Sequence, residues 1–240
     1  MINEAINALK RGKIILIHDF NSRENETDMV VASQFITPEI IRTMRKDGGG
    51  LLCTTIRESD AKKFNLPYLD DLFYNSLNMD RSVLNSSDMG YDTRDAFSVT
   101  VNSRDTYTGI PDNDRYKTVK HFSEFIGALG NDIDENQRNF GKIFRVPGHI
   151  HLLIARNNYF KTRKGHTELS TYITEKAGLI PSATIVETLS DSFNAMTIEE
   201  SKKYADEHNL VLIDGNEIIE DYNRNYRVAE PPTQSHSRRL

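Results

Sequence analysis

Apolar residues punctuate the chain in two rhythms. Ile2, Ala5, Ile6 and Leu9 recur at helical spacing, so the chain opens on an amphipathic helix over 3–11 that Gly12 ends. Ile14–Ile17 and Met29–Ala32 are wholly apolar runs and read as buried strands flanking a polar loop over 19–28. Thr37-Pro38 caps a helix running to about Lys46, where three glycines stop it. A strand over 51–56 and a short helix near 59–65 follow. Residues 66–95 carry little periodicity and read as irregular structure, a candidate mobile loop. Phe97–Val101 alternates as a strand, 116–129 reads as a helix and 130–142 as a polar loop. Pro147-Gly148 makes a turn before a buried strand at 152–154. A basic loop over 157–165 leads into a helix over 167–177. Then come a strand over 183–189, a capping box at Thr197–Glu200 with its helix, a strand over 210–213 and a helix near 216–224. Strands and helices mix throughout, with no linker or repeat. The pattern predicts one α/β (α+β) domain over 1–227 and a flexible tail over 228–240.

Bulk properties narrow the function classes. The 240 residues suffice for a substantial core, and 38% hydrophobic with 27% charged is ordinary for a globular protein. A net charge of −5, spread along the chain, argues against nucleic acid or an anionic membrane as partner. One cysteine, Cys53, allows no intrachain disulfide. No signal-peptide pattern opens the chain and no apolar run approaches a membrane span, so a cytoplasmic location is expected.

Several polar groups stand where chemistry happens. Asp19, Arg23, Glu24, Glu26 and Asp28 crowd one loop between two buried strands, and such carboxylates repel unless a cation or protons neutralise them. The loop is either a divalent-metal site or a solvated turn. Arg163-Lys164-Gly165-His166-Thr167-Glu168 stands just before an apparent helix and is either a phosphate seat or a helix cap. Glu187 lies within an apolar strand, as a solvent-facing residue or as a base of raised pKa. His149 at a strand edge, Cys53 within a strand and the turn Thr108-Gly109-Ile110 each have a structural and a functional reading.

The order of these segments carries more than any one alone. Arg23-Glu-Asn-Glu-Thr-Asp28, Thr108-Gly-Ile110 with Asp114-Arg115, Pro147-Gly-His149, Gly165-His-Thr-Glu168 and Glu187 together resemble 3,4-dihydroxy-2-butanone 4-phosphate synthases over about residues 3–226, and 27–39 is similar to the archaeal branch. The resemblance implies an α/β sandwich with mixed β-sheet layers covered by helices. It implies conversion of D-ribulose 5-phosphate to 3,4-dihydroxy-2-butanone 4-phosphate and formate for riboflavin synthesis. Two Mg²⁺ or Mn²⁺ ions per site and a homodimer with active sites at its interface are likewise implied. Transferred residue by residue, Glu24 and His166 hold the metal. Arg23, Glu24, Glu26, Asp28, Thr108, Arg163, Lys164, Gly165, His166, Thr167 and Glu187 contact substrate, and His149, Glu187, Asp19 and Cys53 fill catalytic positions. The chain departs from the family at Phe20-Asn21-Ser22, where more acid is usual, and at Asp191-Ser192-Phe193, where Asp-Asp-Gly is usual. The expected unit is the synthase without a fused GTP cyclohydrolase II domain. Rival readings are another metal-dependent sugar-phosphate isomerase or aldolase, and an inactive metabolite-binding homologue.

Overall fold

The computed structural model describes residues 1–76, 80–85, 90–92 and 94–229. Seven strands form one mixed sheet: β1 (Ile15–His18), β2 (Thr27–Ala32), β3 (Cys53–Arg57), β4 (Phe97–Ser103), β5 (Phe144–Ala155), β6 (Ala183–Glu187) and β7 (Val211–Asp214). Their order is β4-β5-β3-β6-β2-β1-β7, with β1/β7 and β3/β5 parallel and the other pairs antiparallel. The expectation of a mixed sheet covered by helices is met by this single sheet.

Alternation along the strands sorts the core into two faces. Leu16, Met29, Val31, Ile56, Ile150, Leu152 and Val186 point to one face, packed by Ile41, Met44, Phe122 and Ala205 from α2 (Pro38–Thr43) with its π-helical extension (Met44–Gly48), α5 (Asp112–Gly127) and α8 (Ile198–His208). Ile15, Ile17, Val30, Cys53, Leu153 and Ile185 point to the other, covered by α1 (Ile2–Lys10), α7 (His166–Lys176) and α9 (Gly215–Ala229). Residues 28 and 187 share this second parity, so Asp28 and Glu187 stand on the α7 side of the sheet.

Local chemistry sets most boundaries as the sequence suggests. Thr37 Oγ1 accepts the Ile40 N–H, and Thr197 and Glu200 form the expected capping box. Each such cap contributes about 1 kcal/mol. Four readings change. Residues 133–143 form a helix, α6 (Ile133–Ile143), rather than a loop. Its core-facing position carries Asn136, which bonds both polar groups of the Gly130 backbone and the Lys63 carbonyl, while Phe140 packs against Phe64, Phe125 and Phe144. A polar residue in the buried stripe hides the helical period. Pro147-Gly148 is not a turn but part of β5. There the Gly148 and His149 N–H groups donate to Thr100 Oγ1 and Asn102 Oδ1, so side chains replace irregular ladder bonds. The short helix expected near 59–65 opens as α3 (Glu58–Ala61); within 66–95, α4 (Leu69–Ser76) forms without burying any residue, and 77–79, 86–89 and 93 lie outside the described residues. Finally, β2 begins at Thr27, which shortens the acidic loop to 19–26 and puts Asp28 on a strand. Of the tail expected over 228–240, residues 228 and 229 end α9, and 230–240 lie outside the described residues. Among the described residues no helix is long and apolar enough to cross a membrane.

Candidate active site

The loop Asp19–Glu26 is built around one buried carboxylate. Asp19 Oδ1 accepts the Glu26 N–H at 2.9 Å, and Oδ2 accepts the Glu24 N–H and Arg23 Nη1, each at 3.2 Å. These bonds, with the Asp19 N–H to the Glu26 carbonyl, turn the chain back into β2 and aim Glu24 inward. Helix α7 enters from the other side, tied to the sheet by a chain of hydroxyls. Thr171 Oγ1 bonds Thr55 Oγ1 at 2.8 Å, and Thr55 Oγ1 accepts the Ala183 N–H at 3.0 Å. Its first residue, His166, thereby sits over Asp28 and Glu24, with Nδ1 at 3.4 Å from Glu24 Oε2 and 3.7 Å from Asp28 Oδ1.

This cluster is electrostatically incomplete. Asp19, Glu24 and His166 offer ligand atoms within 4.8 Å of one another. Asp28 Oδ1 and His166 Nε2 are buried without a hydrogen-bond partner. Burial pushes the Asp28 carboxyl up to about 8, with Glu187, Glu24 and Glu26 adding to the rise against the pull of His166. Burial opposes charge on His166 too, yet Asp28 and Glu24 outweigh it and hold the imidazole at about 9. Glu24 is held down at about 2, because the His166 hydrogen bond and Arg23 overcome burial. Glu26 is raised by burial and by Glu24. Carboxylates and an imidazole converging on unpaired buried atoms are the donor set that a hard divalent cation needs, so the residues fit Mg²⁺ or Mn²⁺.

Beside the cluster lie two guanidinia. Arg23 contacts Asp19, Glu24 (2.5 Å) and Asp92 (2.6 Å), with its side chain 5% exposed. Burial disfavours its charge, but Glu24 and Asp92 more than compensate and raise its pKa. Arg163 is anchored by the fully buried Glu168 at 2.8 Å. Both lie against Gly165, where a Cβ would collide with Arg163 Nη1 and with Arg23 Nη2. Only glycine lets two cations close over the start of α7. Lys164 is exposed at the rim of an adjoining cavity of about 370 Å³, and Thr167 is buried in the first turn.

Glu187 stands opposite Asp28 in the β2/β6 register. Its Oε2 accepts the Leu51 N–H at 2.7 Å, and its side chain lies over Gly50 so closely that a Cβ there would overlap it. Cys53 is buried nearby, its thiol pushed well up by burial and by Glu187 and Asp28. The remaining two candidates are elsewhere. His149 and Thr108 are exposed and gathered by Asn102, which hydrogen-bonds the His149 backbone and ring and donates to the Thr108 carbonyl. No described hydrogen bond or ion pair joins them to Glu24 or His166. Asp92, Glu168 and Asn102 escape the sequence reading as site residues. Glu168 alone carried a signal, as the carboxylate closing Gly165-His-Thr-Glu168.

A cation-binding cluster beside buried guanidinia at one end of an α/β/α sheet defines a class: a metal-assisted enzyme for a small anionic substrate. Comparison with known proteins gives the family. A sequence profile of 3,4-dihydroxy-2-butanone 4-phosphate synthase matches residues 3–221, and the chain belongs to that family. A protein of that name from Methanothermobacter thermautotrophicus is 42% identical over 225 residues, covering 92% of this chain and 96% of its own. One from Archaeoglobus fulgidus is 38% identical over 233 residues, covering 95% of each. The fold matches the Candida albicans enzyme of that name (TM-score 0.70, 25% identity, 91% of this chain and 95% of that one). It also matches a synthase structure in complex with two magnesium ions (TM-score 0.73, 23% identity, 94% and 97%).

Proposed function

We propose that this chain converts D-ribulose 5-phosphate to 3,4-dihydroxy-2-butanone 4-phosphate and formate, the reaction that supplies the four-carbon unit of riboflavin. The observation that carries the reading is the meeting of Glu24 with His166 beside the Arg23–Arg163 pair, in a chain that belongs to this family.

Glu24 and His166 would hold Mg²⁺ or Mn²⁺, two ions per site, with Asp19 in reach. When bound, the metal supplies positive charge that stabilises developing oxyanions. Arg163, Arg23, Thr167 and the Lys164–Gly165 backbone bind the phosphate end and fix the carbon chain's position. Glu187, with one oxygen held by the Leu51 N–H, takes the proton beside the ketose carbonyl to give the enediol. Asp28 and Glu26 contact the substrate hydroxyls, and the high Asp28 pKa lets it donate a proton as water leaves. A skeletal shift follows, a water molecule adds to C4, and cleavage of the bond from C4 to the remaining skeleton releases C4 as formate. Asp19 is saturated by loop donors, so its part is to shape the loop, which favours Glu187 over it as base. The neutral Cys53 thiol lies buried beside Glu187 and Asp28.

His149 and Thr108 complete the site from a second copy of the chain. Both are exposed beside Tyr107, Ile110 and Val146, which are 95%, 51% and 52% exposed, an apolar edge suited to a homodimer. Residues 1–227 act as one unit in the cytoplasm. Incubation with ribulose 5-phosphate and Mg²⁺ tests the function: formate is the expected product, and a new pentose or a triose phosphate without formate overturns it.

A further inference from the structure

Asp92 lies outside every motif of the family resemblance, and the reaction above gives it no part. Its carboxylate nonetheless rests on both arginines. Oδ2 accepts from Arg23 Nη2 at 2.6 Å and lies 3.1 Å from Arg163 Nε. The Asp92 side chain is 10% exposed, so this is a shielded contact and not a rim ion pair. Tyr91 lies against Arg23, with its ring centroid 5.0 Å from Arg23 Cζ. Gly90, Tyr91 and Asp92 thus lie as a strap over the two cations, beside the cavity lined by Ser22, Thr162 and Lys164.

The fit is imperfect in an informative way. Nε of Arg23 and Nε of Arg163 are both buried without a hydrogen-bond partner, although Asp92 is adjacent. The one planar carboxylate touches both guanidinia yet leaves an Nε of each unpaired, whereas a tetrahedral anion with three terminal oxygens has acceptors for both. Charge gives the same answer. With Asp92 in place, Asp19, Glu24, Glu168 and Asp92 contact the two arginines, four carboxylates for two cations. A phosphate dianion arriving beside Asp92 meets net negative charge, so it must take Asp92's place.

We propose that Asp92 occupies the phosphate subsite of the empty enzyme, holds Arg23 and Arg163 in position, and is exchanged for the substrate's phosphate, so that it sets anion affinity and selectivity. The inference rests on the assignment of the phosphate to Arg163 and Arg23 above. An anion that binds only the uncovered state has its apparent Kd raised by the reciprocal of that state's population. Weakly charged anions then fail to displace the strap, and a dianion succeeds.

Titration of inorganic phosphate into the full chain by calorimetry at pH 8, in magnesium chloride, tests this with Asp92→Asn, Asp92→Ala and Arg163→Ala beside the unaltered protein. A strap closed about nine-tenths of the time predicts about tenfold tighter phosphate in both Asp92 variants, a parallel fall in KM for ribulose 5-phosphate, and lost binding in Arg163→Ala. Unchanged or weaker phosphate in both Asp92 variants, with binding still lost in Arg163→Ala, overturns the exchange while leaving the phosphate seat standing. Phosphate binding that survives Arg163→Ala overturns the seat and the exchange together.

Discussion

Asp28 on β2 and Glu187 on β6 stand directly opposite each other, two carboxylates paired across the sheet at the floor of the site. Burial first, and then the like charge of Glu187, push the Asp28 carboxyl up to about 8. Its ordinary value is 3.8, so the folded chain binds this proton more tightly than the unfolded one. The stability this proton contributes is fully present below about pH 3.8 and is lost as pH rises through about 8. Asp28→Asn removes the loss. Thermal melts in a chelator are expected to show the variant gaining on the unaltered protein as pH rises from 4 to 8, while formate release falls at least about a hundredfold. A constant difference in Tm across that range would contradict the proton held between these residues.

Glu24 and His166 come from a loop and a helix 142 positions apart in the chain and meet at 3.4 Å. Glu24→Gln and His166→Ala are each expected to abolish magnesium-dependent turnover and calorimetric Mn²⁺ binding, with the far-UV circular dichroism unchanged. Near-normal Mn²⁺ affinity in either variant sinks the ligand assignment.

Glu168 is fully buried and pairs with Arg163 at 2.8 Å, and its other oxygen accepts the Arg156 N–H at 3.1 Å. Glu168→Ala leaves a buried guanidinium and a backbone donor unmatched, an expected loss of about 3 kcal/mol. Urea unfolding measures this, and KM for the sugar phosphate is expected to rise more than kcat falls. A loss within 0.5 kcal/mol, as for an ordinary surface change, contradicts the pairing.

Phe193 is fully exposed and at φ +70°. A bulky residue in that conformation costs about 1 kcal/mol, and Gly loses part of the gain to its own flexibility. Phe193→Gly is expected to stabilise the chain by up to about 1 kcal/mol in chemical unfolding. Destabilisation of that size would assign the ring a packing role that one copy of the chain does not provide.

Most of the frame was legible in the sequence because its signals are local. Wholly apolar runs gave the central strands, and Thr37, Gly12 and the Thr197–Glu200 box gave helix ends. The site was legible only through the ordered motifs, since no single charge cluster separates a metal ligand from a solvated acid. What stayed hidden was settled by distant partners. Asn136 takes a core position by bonding backbone near residues 63 and 130, Pro147-Gly148 stays in β5 because Thr100 and Asn102 supply acceptors, and Asp92 acquires meaning only where Arg23 and Arg163 converge. None of these contacts leaves a periodic mark.

The central claim is that this site breaks the carbon skeleton and does not merely isomerise it. Ribulose 5-phosphate carrying ¹³C at C4, incubated with the chain and Mg²⁺ and followed by NMR, tests it directly. The account predicts the label in formate, growing with the four-carbon phosphate product and absent with His166→Ala. Label retained in a five-carbon or three-carbon phosphate, with no labelled formate, would contradict it.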